Sequence, residues 1–86
     1  MANLTLNFYT DPGHGWLRAP LVLINKLGVT PSKYSYTDSE YGYLEEDMDA
    51  SLFIEAAKKA GYTLTLKENH SSRNSFVRSK RRFSGV

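Results

Sequence analysis

The sequence predicts an α+β domain whose elements follow in the order β-α-β-β-α-β, and three observations carry that reading. Leu4–Tyr9 and Tyr62–Lys67 alternate apolar and polar residues, as half-buried strands do. Two stretches keep helical apolar spacing, and each ends on a glycine, Gly28 and Gly61. Between them lies a tyrosine-rich pair of short β-prone runs around Thr37–Glu40. This order is that of the ferredoxin-like split βαβ arrangement, an antiparallel four-stranded sheet with both helices on one face.

The first strand turns Leu4, Leu6 and Phe8 inward. Asp11-Pro-Gly-His-Gly15 breaks the chain, because proline and two glycines do not continue a ladder. A helix is expected next, from Leu17, Leu21, Ile24 and Leu27, with Pro20 in its first turn and Gly28 as its stop. Lys33–Tyr36 and Tyr41–Leu44 form the middle strands. Asp49 is the expected N-cap of a second helix, with Glu45, Glu46 and Asp47 where a helix N-terminus favours negative charge. Leu52, Phe53, Ala56, Ala57 and Ala60 make its buried stripe, and the last strand turns Leu64 and Leu66 inward. Beyond residue 68 the pattern ends. Residues 1–68 are therefore expected as the compact domain and 69–86 as a flexible, basic, Ser/Arg-rich tail.

The chain of 86 residues has no cysteine, which excludes disulfides, thiolate zinc sites and thiol catalysis. The beginning of the sequence shows no secretory signal pattern, and Leu21–Ile24 is the longest apolar run, far below the ~20 residues that span a bilayer. A cytoplasmic, non-membrane protein is expected. A net charge of +2 hides a split: residues 1–68 carry six Lys/Arg against nine Asp/Glu, or −3, and residues 69–86 carry five cations and no acid, or +5.

Three places could carry chemistry. In the loop Asp11–Trp16, His14 could serve as a general acid or base oriented by Asp11, and the glycines could turn amides toward a phosphate; the simpler reading, a tight turn that seats Trp16 in the core with His14 on its rim, comes first, since one His with one nearby Asp is common by chance. No dinucleotide or P-loop fingerprint is present, and no cofactor is called for. Glu45–Asp49 could hold a hard cation, but helix capping accounts for the run and no metal site is assigned. On the ferredoxin-like model Tyr9, Tyr41 and Tyr43 share the sheet face away from the helices, where they could stack bases while Arg73, Arg78, Lys80, Arg81 and Arg82 grip phosphates in a salt-sensitive way. The same face could be covered by the tail or by a second copy. The acids that follow Tyr43 argue against a nucleic-acid surface.

Three strings together, Phe8-Tyr-Thr-Asp-Pro-Gly-His-Gly-Trp-Leu17, Tyr43-Leu-Glu-Glu-Asp-Met-Asp-Ala-Ser-Leu-Phe53 and the Asn69–Arg78 ending, resemble a group of small proteins of tailed bacteriophages and mobile elements. The resemblance spans nearly the whole chain. It carries no assigned activity and transfers no catalytic residue. It implies a bacterial host cell and an accessory role in which a host protein or nucleic-acid process is bound or blocked. Two classes of function thus stand side by side: a binding module, with a homodimer allowed, and a small enzyme or phosphate-binding domain built on Asp11 and His14.

Overall fold

A computed structural model describes residues 2–83; residue 1 and residues 84–86, the end of the expected tail, lie outside the described residues. The elements are β1 (Ala2–Thr10), β2 (Gly15–Pro20), α1 (Leu21–Lys26), β3 (Tyr36–Thr37), β4 (Tyr41–Glu45), α2 (Asp49–Lys59), β5 (Tyr62–His70), a 3-10 turn (Phe76–Ser79) and β6 (Arg81–Arg82). They build a six-stranded sheet in the order β5-β1-β2-β4-β3-β6. β1 and β5 run parallel, and every other neighbouring pair is antiparallel.

The α+β class holds, and the ferredoxin-like order does not. The difference begins at β2. Gly15–Pro20 was expected at the start of a helix, yet it returns as a strand, with Phe8 opposite Leu17 and Thr10 opposite Gly15. Leu17 and Ala19 face one side of the sheet and Trp16 the other, and all three are buried. A strand covered on both faces shows no apolar/polar alternation, so its period is invisible in the sequence. The helix shrinks to the six residues after Pro20. Gly28 (φ +72) and Gly61 (φ +92) stop α1 and α2 as expected, each in the left-handed region that favours glycine.

One face of the sheet holds the main core. Leu6, Leu17, Ala19 and Leu44 pack there against Ile24 of α1 and Ala50, Phe53 and Ala57 of α2. Leu64 joins this core, but Leu66, expected inward, is 41% exposed. The opposite face carries a second cluster of Trp16, Tyr36, Tyr43 and Val77, with Tyr9 and Tyr41 against it.

Val77 belongs to the segment expected to be a flexible tail. The boundary expected after residue 68 falls inside β5, and the chain beyond it is built into the fold. The Ser71 amide donates to the Thr10 carbonyl, the 3-10 turn lays Val77 at 0% exposure on the second face, and β6 pairs with β3. Phe83 then packs against the main core, and its amide donates to the Ser35 carbonyl. Val77 and Phe83 suffice because each lands on a surface the rest of the chain has already built.

Candidate functional site

The loop Asp11–His14 closes the β1–β2 hairpin. The Asp11 amide donates to the His14 carbonyl (2.9 Å), and Asp11 Oδ1 accepts the amides of Gly13 and His14. An aspartate followed by proline is suited to such a turn. Neither Gly13 nor Gly15 has a positive φ. They are small because the space is taken. A β-carbon at residue 15 would stand 2.8 Å from the Phe8 ring, and one at residue 13 would stand 2.9 Å from Arg78 Nη2.

Asp11 does not orient the His14 ring. Its side chain is wholly buried and forms a two-pronged ion pair with Arg78, Nε to Oδ2 at 2.7 Å and Nη2 to Oδ1 at 3.1 Å. Oδ2 also accepts the Ser75 amide. The Arg78 guanidinium holds the Asp11 carboxyl well below the usual carboxylate range; burial opposes this, and the amides of Ser75, His14 and Gly13 assist it. Both oxygens are therefore committed to fastening the C-terminal segment onto the hairpin. His14 is exposed, its ring centroid 6.0 Å from that of Trp16, and Asp11 meets only its backbone. The two candidate catalytic residues are neighbours in the chain without forming an acid–base pair.

Tyr9, Tyr41 and Tyr43 do share the face away from the helices, and the C-terminal segment lies over it. Phe76 stacks edge-on against Tyr9 and Tyr43, with centroids at 4.9 and 5.8 Å. Tyr43 is buried, and its hydroxyl donates to Asp38 Oδ2 (3.0 Å). Burial, with the Asp38 acceptor, pushes Tyr43 up to about 12. Tyr9 and Tyr41 remain half-buried, with the Arg18 guanidinium 4.4 Å from the Tyr41 ring. An open platform for stacked bases is thus not what this face presents.

The tail cations are divided. Arg78 is held by Asp11. Lys80 pairs with Asp38 at 3.3 Å, and Arg82 donates to the Tyr36 hydroxyl (3.0 Å) and the Lys33 carbonyl (3.2 Å). Burial alone would raise Asp38, but the amides of Glu40 and Tyr41, the Tyr43 hydroxyl and Lys80 outweigh it and hold the group at about 2. Arg73 and Arg81 are exposed and make no ion pair among the described residues.

Docking of the segment creates a concavity that no single stretch of sequence announces. Where β2 begins and β4 ends, a groove of about 520 Å³ opens over Trp16 and Tyr36. Arg78 and Arg82 form one part of its wall, each stacked on an aromatic ring: Arg78 lies 5.2 Å from Trp16 and Arg82 4.8 Å from Tyr36. Tyr34 and Met48, each 62% exposed, form another, and His14, Ser32, Glu45 and Asp47 complete the lining. Of these, only His14, Arg78 and Arg82 were singled out as site residues from sequence. Tyr34 and Met48 sit in a loop and at a helix entry, and their only signal was that they are large and apolar beside turn residues.

Two sets of polar contacts fix the groove. Asp49, expected to cap α2, instead turns its carboxylate to the loop before β3, where it accepts the Ser32 amide and hydroxyl (2.8 Å each) and the Ser35 hydroxyl. Glu45 does the capping, its carboxylate accepting the amides of Asp47, Met48 and Asp49. Among the described residues no group of three or more His, Asp or Glu could hold a metal ion. No helix of the described residues is long and apolar enough to cross a membrane. Compared with protein-family models, curated proteins and solved structures, the chain matches none.

Proposed function

We propose that this chain is a non-enzymatic binding module that recognises a protein partner through the groove over Trp16 and Tyr36. The observation that carries the reading is the lining itself: tryptophan, two tyrosines, methionine and two arginines, the residue types that concentrate at the energetic centres of protein interfaces. The volume admits a short segment with more than one projecting apolar or aromatic side chain. Charges of both signs at the edge, Arg78 and Arg82 with Glu45 and Asp47, suit a partner whose flanking residues are also mixed.

A protein is favoured over nucleic acid because phosphate binding needs cations free to release counterions. Here Arg78 and Lys80 are neutralised by Asp11 and Asp38, and acids share the groove. A catalyst is disfavoured because the Asp11 carboxylate is spent on Arg78 and His14 meets no orienting acid among the described residues. The resemblance to small proteins of bacteriophages and mobile elements supplies the setting: an accessory protein in the bacterial cytoplasm that binds, and thereby modulates, a host protein.

The test is capture from a nuclease-treated bacterial lysate by the wild type and by a Tyr34→Ala/Met48→Ala double variant. Both side chains are largely exposed, so the fold should be unaffected. A partner retained by the wild type and lost by the variant supports the reading. A partner lost on nuclease treatment, or held equally by the variant, contradicts it.

A further inference from the structure

The two ends of the sheet are protected unequally. At one end β6 is two residues long, and both are arginines, a short charged edge that resists pairing. At the other end lies β5, nine residues long, in unbroken register with β1 from Ala2–Tyr62 to Thr10–His70. It contains no proline or glycine and no bulge, and every residue from Thr65 to His70 is exposed. Among the described residues no strand pairs with its outer edge, and Leu66 lies there at 41% exposure. An edge of this length, charged only at Lys67 and Glu68, is a template for another strand.

The side chains of β5 specify which strand. We propose that β5 pairs antiparallel with β5 of a second copy about a two-fold axis at Thr65, joining two sheets into one. An axis perpendicular to the sheet keeps the helices of both copies on the same side, so opposed residues share a face. Centred on Thr65, the register sets Thr65 against Thr65, Leu64 against Leu66, Thr63 against Lys67 and Tyr62 against Glu68. No pair opposes like charges: hydroxyl meets hydroxyl, leucine meets leucine, threonine meets lysine and phenol meets carboxylate. The leucine pairs cover Leu66, the residue the fold leaves exposed although it lies opposite Leu6 in the ladder with β1. Neighbouring registers are worse. An axis at Lys67 sets lysine against lysine, and one at Leu66 sets Leu64 against Glu68. The strand is thus complementary to itself in one register, and that selects a second copy over an extended segment of another protein.

The chain has no cysteine, so a single introduced thiol reads the register directly. Under mild oxidation Thr65→Cys should form a disulfide-linked dimer, because the two β-carbons face each other across the axis. Thr63→Cys should not, since residue 63 lies opposite Lys67, about 13 Å along the strand from its own equivalent. In sedimentation experiments the wild type should dimerise with rising concentration. Thr65→Lys, which opposes like charges on the axis, should weaken the dimer at least tenfold, with an unchanged thermal melt at concentrations where both proteins are monomeric. A wild type that stays monomeric throughout, including one that accepts only an extended peptide, overturns the proposal. So does a Thr65→Lys variant that dimerises as the wild type does, or a Thr63→Cys variant that cross-links as readily as Thr65→Cys.

Discussion

Replacing Asp49 by alanine isolates the contact that holds one wall of the groove. The Asp49 carboxylate is buried and accepts three hydrogen bonds from Ser32 and Ser35. Ser35 is fully buried, so its hydroxyl would lose its acceptor with no water at hand. A buried donor left unpaired costs about 1–3 kcal/mol. Ser32 is only half-buried and can turn to water, so it adds little. Removing a carboxylate from a buried site returns part of the loss. The net destabilisation is about 2 kcal/mol, which lowers the melting temperature of a domain this size by about 8–16 °C. Urea unfolding followed by Trp16 fluorescence measures it, with exposed Asp47→Ala as the control, expected within about 0.5 kcal/mol of wild type. Because the Tyr34 amide donates to Ser32 Oγ (3.2 Å), partner capture should weaken as well. An Asp49→Ala protein as stable as the control would refute the claim that this carboxylate organises the loop.

Three further outcomes are expected. Val77→Ala removes two fully buried methyl groups from the C-terminal segment and should cost about 2–3 kcal/mol in the same urea assay. Asp11 and Asp38 both have depressed pKa values in the folded state, so the stability they contribute is complete above their ordinary value of 3.8 and is lost as pH falls through the folded value, about 2 for Asp38 and lower still for Asp11. Melting temperature should thus hold level down to about pH 5 and fall below it, and Arg78→Ala should reduce that acid dependence. His14→Ala should leave stability within about 0.5 kcal/mol of wild type, because the ring is exposed and the turn is held through the backbone.

Where each element obeys one period, the sequence is legible. β1 alternates cleanly because only one of its faces meets the main core; in α2 Phe53, Ala56 and Ala57 of the expected stripe turn inward for the same reason, while Leu52 (48% exposed) and Ala60, expected with them, face outward. Gly28 and Gly61 mark helix ends because the left-handed conformation they adopt leaves little choice of residue. Legibility fails where two surfaces are satisfied at once. Trp16 and Leu17 are adjacent and both buried, on opposite faces, so the sequence of β2 reads as the start of a helix. The C-terminal segment fails differently. Its attachment depends on Asp11 and Arg78, 67 residues apart, and on a surface of Trp16 and Tyr43 that exists only after the sheet has formed. Local composition cannot report such a partner, and a run of serines and cations reads as disorder. The groove inherits that failure, because Arg78 and Arg82 enter it only through the segment's return across the sheet.

Everything proposed for the groove requires that return, and amide hydrogen exchange on the full chain tests it residue by residue. The amides of Ser75, Val77, Lys80 and Phe83 donate to Asp11 Oδ2, Ser75 Oγ, the Val77 carbonyl and the Ser35 carbonyl. They should exchange far more slowly than open chain, within reach of the amides of β2 and β4. Exchange at open-chain rates from Ser75 to Phe83, with β2 and β4 still protected, would show a free tail and no cationic wall.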